Sequence, residues 1–257
     1  MARDHEFDMK IVIANWKLNP KTEQEARRLV GVTHDMSKKI RSVKTVVCPP
    51  YIWIPALRSL VRKPLELGAQ NGFWKDTGAF TGEVSFAMLK EAHCRWVIIG
   101  HSERRIIFKE TDELINQKVK AALKAGFQVV LAVGERDRNN DPDSVSAVLE
   151  QQVEKALEGV PKEHIKRVVI AYEPVWAIGT GNPETPEGAL KAALLIKKVV
   201  GRVYGNGFAE KLHVLYGGSV TDQNVASFVK QDGIDGVLVG GASVDGKIFP
   251  KLLAALK

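Results

Sequence analysis

Only two cysteines occur in the 257 residues, Cys48 and Cys94, each in an apolar stretch and neither spaced for a metal site or a redox motif. Both read as reduced, buried thiols, which argues against a disulfide framework or a thiolate-ligated metal fold. Long apolar runs are lacking as well. Even Trp96 to Gly100 gives way at once to His101, Ser102 and Glu103, far short of the roughly 20 residues of a membrane helix. No membrane partner is expected, and the cytoplasm is the simplest location. Arg3, Asp4, His5, Glu6 and Asp8 interrupt the start of the chain, so it has no signal-peptide core. Residues 1–9 read as a polar extension and residues 10–257 as one domain. Histidine clusters are absent too: His93, His164 and His213 show no ligand spacing, so no metal is expected. Nor is there a basic tract. The 37 Lys and Arg exceed the 30 Asp and Glu for a net charge of +7, but the cations sit beside acids, as in Glu154-Lys155 and Glu187 with Lys191. That pattern describes solvated helix faces and gives no nucleic-acid footprint.

What the chain does have is enough apolar material for a sizeable core, 45% hydrophobic against 26% charged residues. It is arranged in eight short runs: Lys10–Trp16, Thr45–Cys48, Leu65–Ala69, Trp96–Ile99, Gln128–Val133, Arg167–Tyr172, Lys211–Leu215 and Gly236–Val239. Most are nearly continuous in Val, Ile and Leu, as strands covered on both faces require. Helical segments lie between them, among them Thr22–Ile40, Asp112–Ala125, Ser144–Leu157, Pro186–Val200 and Val244–Leu256. Gly126 and Gly159 mark helix stops, and Thr185-Pro186 marks a capped start. Alternation of this kind predicts an α/β fold with a parallel sheet and right-handed crossovers. An open doubly wound sheet would want a Gly-x-Gly-x-x-Gly turn after the first strand, where Asn15-Trp16-Lys17-Leu18-Asn19-Pro20 stands instead. Eight units without a linker favour closure into a single-domain (β/α)8 barrel.

In such barrels the loops at the C-terminal strand ends carry the chemistry. The first strand ends in Asn15 and Lys17, the fourth in Gly100-His101-Ser102-Glu103-Arg104-Arg105, and the sixth in Tyr172-Glu173-Pro174-Val175-Trp176. The seventh and eighth end in Tyr216-Gly217-Gly218-Ser219 and Gly240-Gly241-Ala242-Ser243. Either glycine loop alone reads as a tight turn. The two together, placed after strands seven and eight before helix starts, read as a phosphate cradle of backbone N–H groups. His101, Lys17 and Glu173 would bring an imidazole, an ammonium and a carboxylate to the same rim. Pro174 to Gly181, apolar and ending in glycines, reads as a lid that excludes water.

At these residues the sequence closely resembles the triosephosphate isomerase family, over nearly the whole chain from about Lys10. Asn15-Trp16-Lys17, Gly78-Ala79-Phe80-Thr81-Gly82-Glu83, Gly100 to Arg105, Ala171 to Gly181 and Tyr216 to Ser219 stand in family order. The family is itself a general example of a neutral histidine held at a helix N-terminus and of loop closure over a substrate. The resemblance implies interconversion of dihydroxyacetone phosphate and D-glyceraldehyde 3-phosphate through an enediolate, in glycolysis and gluconeogenesis, without cofactor or metal. It implies Glu173 as base and His101 as neutral electrophile. Lys17, held by Asn15 and paired with Glu103, would offset the developing charge. Ser102 and Tyr216 would support the site, and backbone N–H groups of Gly179, Ser219, Gly240 and Gly241 would grip the phosphate. Thr81 implies a homodimer, because it matches the family residue that reaches a neighbouring subunit near Asn15 and Lys17.

Two positions depart from the family pattern. Ala132 stands where a cysteine is usual beside the glutamate, so altered packing with unchanged chemistry is expected. Gly181-Asn182-Pro183-Glu184-Thr185 replaces the usual lid hinge, and Pro183 restricts it, so slower lid opening is expected. A barrel acting on another sugar phosphate, such as a phosphoribosyl isomerase or a glycerol-phosphate synthase, would share the glycine loops but not Asn15, Lys17 and His101. A catalytically silent binding barrel would lack the acid or the base.

Overall fold

A computed structural model of the chain describes residues 9–137, 142–178, 180 and 183–257. Eight parallel strands, β1 (Lys10–Asn15), β2 (Val43–Cys48), β3 (Leu65–Ala69), β4 (Trp96–Ile99), β5 (Gln128–Val133), β6 (Val168–Tyr172), β7 (His213–Tyr216) and β8 (Gly236–Val239), pair in sequence order. Closure comes from β1 against β8, with Ile13 opposite Leu238 and Ala14 opposite Val239. The fold is the expected (β/α)8 barrel.

The nearly continuous β-branched runs are explained by two separate apolar cores. Ile11, Ile13, Val46, Ile98, Val130, Val169, Leu215 and Leu238 fill the barrel interior, while the alternate residues Val12, Val47, Val97, Ile99, Val129, Leu131 and Ile170 pack outward against the helices. Each strand is therefore apolar on both faces, and each fully buried Val, Leu or Ile contributes about 1.5–3 kcal/mol. Helices Glu23–Lys39, Asp112–Lys124, Pro142–Leu157 and Pro186–Tyr204 cover the outside. Their starts obey local chemistry. The hydroxyl of Thr185 accepts from the Gly188 N–H at 3.0 Å with Pro186 in the first turn, and Gly126 and Gly159 take positive φ after their helices.

Several expected boundaries move. Lys211 closes a short helix, Asn206–Lys211, and β7 begins at His213 and runs on to Tyr216. Arg167 precedes β6, and helix Pro186–Tyr204 continues past Val200. Val244 belongs to a 3₁₀ turn, Gly241–Val244, with the last helix starting at Ile248. In each case the apolar periodicity was read correctly, but backbone hydrogen bonding at the ends set the limit. Cys48 and Cys94 are buried and free, as expected, and burial pushes both thiols up, Cys94 to about 12. Among the described residues no helix is long and apolar enough to cross a membrane. Most of the proposed extension, residues 1–8, lies outside the described residues.

Candidate active site

A cleft of about 520 Å³ opens at the C-terminal ends of the strands, lined by Asn15, Lys17, His101, Glu173, Ser219, Gly240 and Gly241 among others. Lys17 reaches it from a strained backbone. Its φ is +51°, a left-handed conformation sparsely populated by residues with a Cβ, and such outliers persist only where surrounding structure holds them. Here the Asn15 side-chain oxygen accepts from the Lys17 N–H at 3.1 Å, and the Gln70 amide donates to the Lys17 carbonyl at 2.8 Å and to that of Cys48 at 2.9 Å. The ammonium lies 2.7 Å from Glu103 Oε1. Gln70 was not singled out from sequence, although its place immediately after β3 was the available signal.

His101 caps the helix Ser102–Ile107, its Nδ1 accepting from the Glu103 N–H at 3.2 Å. Nδ1 is thereby an acceptor, which leaves the ring proton on Nε2. Nε2 lies 3.1 Å from Glu173 Oε1, and the Ser102 N–H donates to Glu173 Oε2 at 2.8 Å. Both carboxylate oxygens are thus held by donors from the loop after β4, and Glu173 is only 2% exposed. Two glycines clear the space around it. A Cβ at Gly134 would collide with the Glu173 carbonyl oxygen, and one at Gly217 would lie 3.0 Å from Glu173 Cγ. A side chain at Gly134 would displace the Glu173 backbone, and one at Gly217 would crowd its side chain.

The two glycine loops face the same cleft, but differently from expectation. After β8 a 3₁₀ turn starts at Gly241 directly on the cleft. After β7 the chain passes through a turn in which Thr221 and Asn224 bond one another before the short helix Val225–Val229 begins. N–H groups of an irregular loop, not a helix end, therefore present that side. Ser243 ties the arrangement together by donating to the Gly240 carbonyl at 2.6 Å.

Behind the site, Glu135 Oε1 accepts from the Tyr172 hydroxyl at 2.9 Å and from Trp176 Nε1 at 2.7 Å, while its Oε2 is buried without a partner among the described residues. Neither Glu135 nor its bridge to Trp176, at the start of the segment expected to form a lid, was anticipated. The signal was faint: a carboxylate just past a strand end. Tyr216, stacked on Phe228 at 3.8 Å, accepts from the Glu184 N–H at 3.2 Å, so it supports the far end of the same segment rather than the cleft wall. Ile178 lines the cleft. Gly179, Gly181 and Asn182 lie outside the described residues, and Pro183 is exposed. Ala132 is fully buried in β5, and its carbonyl accepts from Arg105 at 3.3 Å. Thr81 is exposed on the loop between β3 and β4. Among the described residues no cluster of His, Cys, Asp and Glu could hold a metal ion.

Burial holds the Glu135 carboxyl above its ordinary 4.5, against the hydrogen bonds from Trp176 and Tyr172. The folded chain then binds more protons than the unfolded one in the window that opens at 4.5 and closes at the raised value. The contribution of Glu135 to stability is full below that window and is lost as pH rises through it. Relative to Glu135→Gln, the wild type should therefore lose unfolding free energy as pH rises above the ordinary 4.5, read by urea melts at each pH; a gain in that direction would show that the fold favours the charged form.

The chain matches the triosephosphate isomerase family model over residues 10–256. It is 43% identical to the triosephosphate isomerase of Dictyoglomus thermophilum over 241 residues, covering 93% of this chain and 96% of that one. It is 44% identical to that of Geobacter metallireducens over 240 residues, covering 93% and 95%, and 42% identical to that of Lawsonia intracellularis over 250 residues, covering 96% and 98%. With the barrel, the cleft and this breadth of similarity in agreement, the chain belongs to the triosephosphate isomerase family.

Proposed function

We propose that the chain interconverts dihydroxyacetone phosphate and D-glyceraldehyde 3-phosphate through an enediolate, serving glycolysis and gluconeogenesis, with Glu173 moving the proton. In the forward direction the carboxylate takes a proton from C1 of the ketose, the C1 electrons form the enediolate double bond, and the C2 carbonyl oxygen takes up negative charge. His101 Nε2–H donates to the substrate oxygens, and Lys17 offsets the charge across the short distance that a water-poor cleft allows. Protonated Glu173 then returns a proton to C2, while the C1 hydroxyl proton passes to the C2 oxygen by way of His101, giving the aldehyde and restoring the carboxylate. Backbone N–H groups of Ser219, Gly240 and Gly241 hold the phosphate, so binding at the non-reacting end aligns the reacting one. Glu173 must first leave the Ser102 N–H, and Gly217 keeps that path open.

The observation that carries this reading is the 3.1 Å approach of His101 Nε2 to Glu173 in a cleft shared with the Lys17 ammonium. A coupled assay run in deuterium oxide tests it. Product should form and carry solvent deuterium at the carbon that gains the proton, whereas an inert enzyme, or product formed by direct hydride shift without label, would overturn it.

The chain acts as a homodimer in this reading. Leu18, beside Lys17, is 92% exposed, and Phe80, next to Thr81, is packed on Phe73 at the base of an exposed loop. An apolar side chain displayed next to a reactive lysine is accounted for if a second copy covers it. Sedimentation should give twice the 28.3 kDa chain mass; a stable monomer with full activity would remove the idea. A cytoplasmic location fits the two buried free thiols.

A further inference from the structure

The opposite mouth of the barrel, at the N-terminal ends of β2 to β5, holds a second cleft of about 480 Å³ with a different chemistry. Lys44 comes from β2, Arg58 and Lys63 from the segment before β3, and His93 and Arg95 from the segment before β4. Glu66 is the one carboxylate among the lining residues, and it accepts from Trp96 Nε1 at 2.6 Å. Among the described residues, Arg58, Lys63 and Arg95 have no side-chain hydrogen bond or ion pair. Three formal cations without such a partner, with Lys44 beside them, therefore face one carboxylate that already has a partner. His93 adds a second observation. It holds φ +66° just past the helix Phe86–Glu91, a helix-end conformation that glycine adopts without strain, and it lines this cleft and an adjoining one of about 280 Å³ that it shares with Lys90 and Arg95.

We propose that this cleft binds a compact polyphosphate or a similarly small, multiply charged oxyanion. Convergent cations in a concavity focus the field more strongly than the same charges on a convex face. Arg58 and Arg95 supply planar forks suited to paired phosphate oxygens. The concave shape and limited volume suit a small anion better than a nucleic-acid duplex, which needs an extended basic surface. The site is independent of the triose-phosphate cleft, which lies at the other end of strands of 4 to 6 residues, about 13–20 Å long.

The probe is sodium tripolyphosphate, titrated calorimetrically into the full chain with and without saturating triose phosphate. A binding event that persists under saturation is expected. The Arg58→Glu/Arg95→Glu variant should weaken that event by at least about tenfold with kcat and KM for triose phosphate unchanged. Arg58→Gln/Arg95→Gln, which removes charge without reversing it, should weaken it to a lesser degree and stands in if the first variant does not fold. The proposal is overturned if all binding is displaced by triose phosphate, if the glutamine variant binds as the wild type does, or if an oligonucleotide binds this face in preference to tripolyphosphate.

Discussion

Glu173→Gln lowers kcat for triose-phosphate interconversion by roughly 10²–10⁴-fold, the range general-base catalysis contributes, while KM moves little. The amide keeps nearly the same volume at a position that is only 2% exposed. It also keeps one oxygen to accept from either Ser102 N–H or His101 Nε2, the two donors that hold the carboxylate in the wild type. What it cannot do is take a proton from carbon. The loss should therefore appear in the chemical step, with deuterium exchange from solvent into the substrate suppressed in parallel. A fall in KM affinity with kcat preserved would mean that Glu173 binds substrate and that another group is the base.

Lys17→Met should reduce kcat/KM by roughly 10²–10³-fold, comparable with removing one preorganised electrostatic donor, and here KM should rise as well as kcat fall. The ammonium is the formal cation among the cleft-lining residues, close to both the site of the enediolate and the glycine loops that would hold the phosphate. In the proposed mechanism it acts on ground state and transition state together, unlike Glu173. Methionine keeps most of the length of the side chain, so a loss larger than that of Glu103→Gln would assign the effect to the missing charge. Glu103 is half-exposed and makes the 2.7 Å contact with Lys17 from outside the reacting centre, so its loss should be much milder. Restoration by Lys17→Arg is not expected, because the planar guanidinium cannot reproduce a compact ammonium beside Gly240, whose Cα region already packs against the Lys17 stem.

The strand order and the residues at the strand ends could be read from the chain because their signals are local. Val12-Ile13-Ala14 and Val129-Val130-Leu131 are apolar on both faces whatever they pack against, and Thr185-Pro186 or Gly126 punctuate helices through their own backbone preferences. Asn15, Lys17, His101 and Glu173 were found together since Asn15 ends such a run and each of the others sits one or two residues past one. The helix after β7 was placed too early for a related reason: Gly217 and Gly218 signal a turn, but not that Thr221 and Asn224 prolong it by bonding each other.

Sequence by itself thus determined the eightfold alternation, the closure it calls for and the types of group at the functional rim, because propensity, capping and burial pattern act over a few residues. Only the tertiary structure decided that Gln70 holds Lys17 in a left-handed backbone, that Gly134 leaves room for the Glu173 carbonyl, that Glu135 joins Tyr172 to Trp176, and that Lys44, Arg58 and Arg95 converge beneath the barrel. Those contacts join residues from separate strand ends and the segments between strands, and their geometry exists only once the barrel has closed.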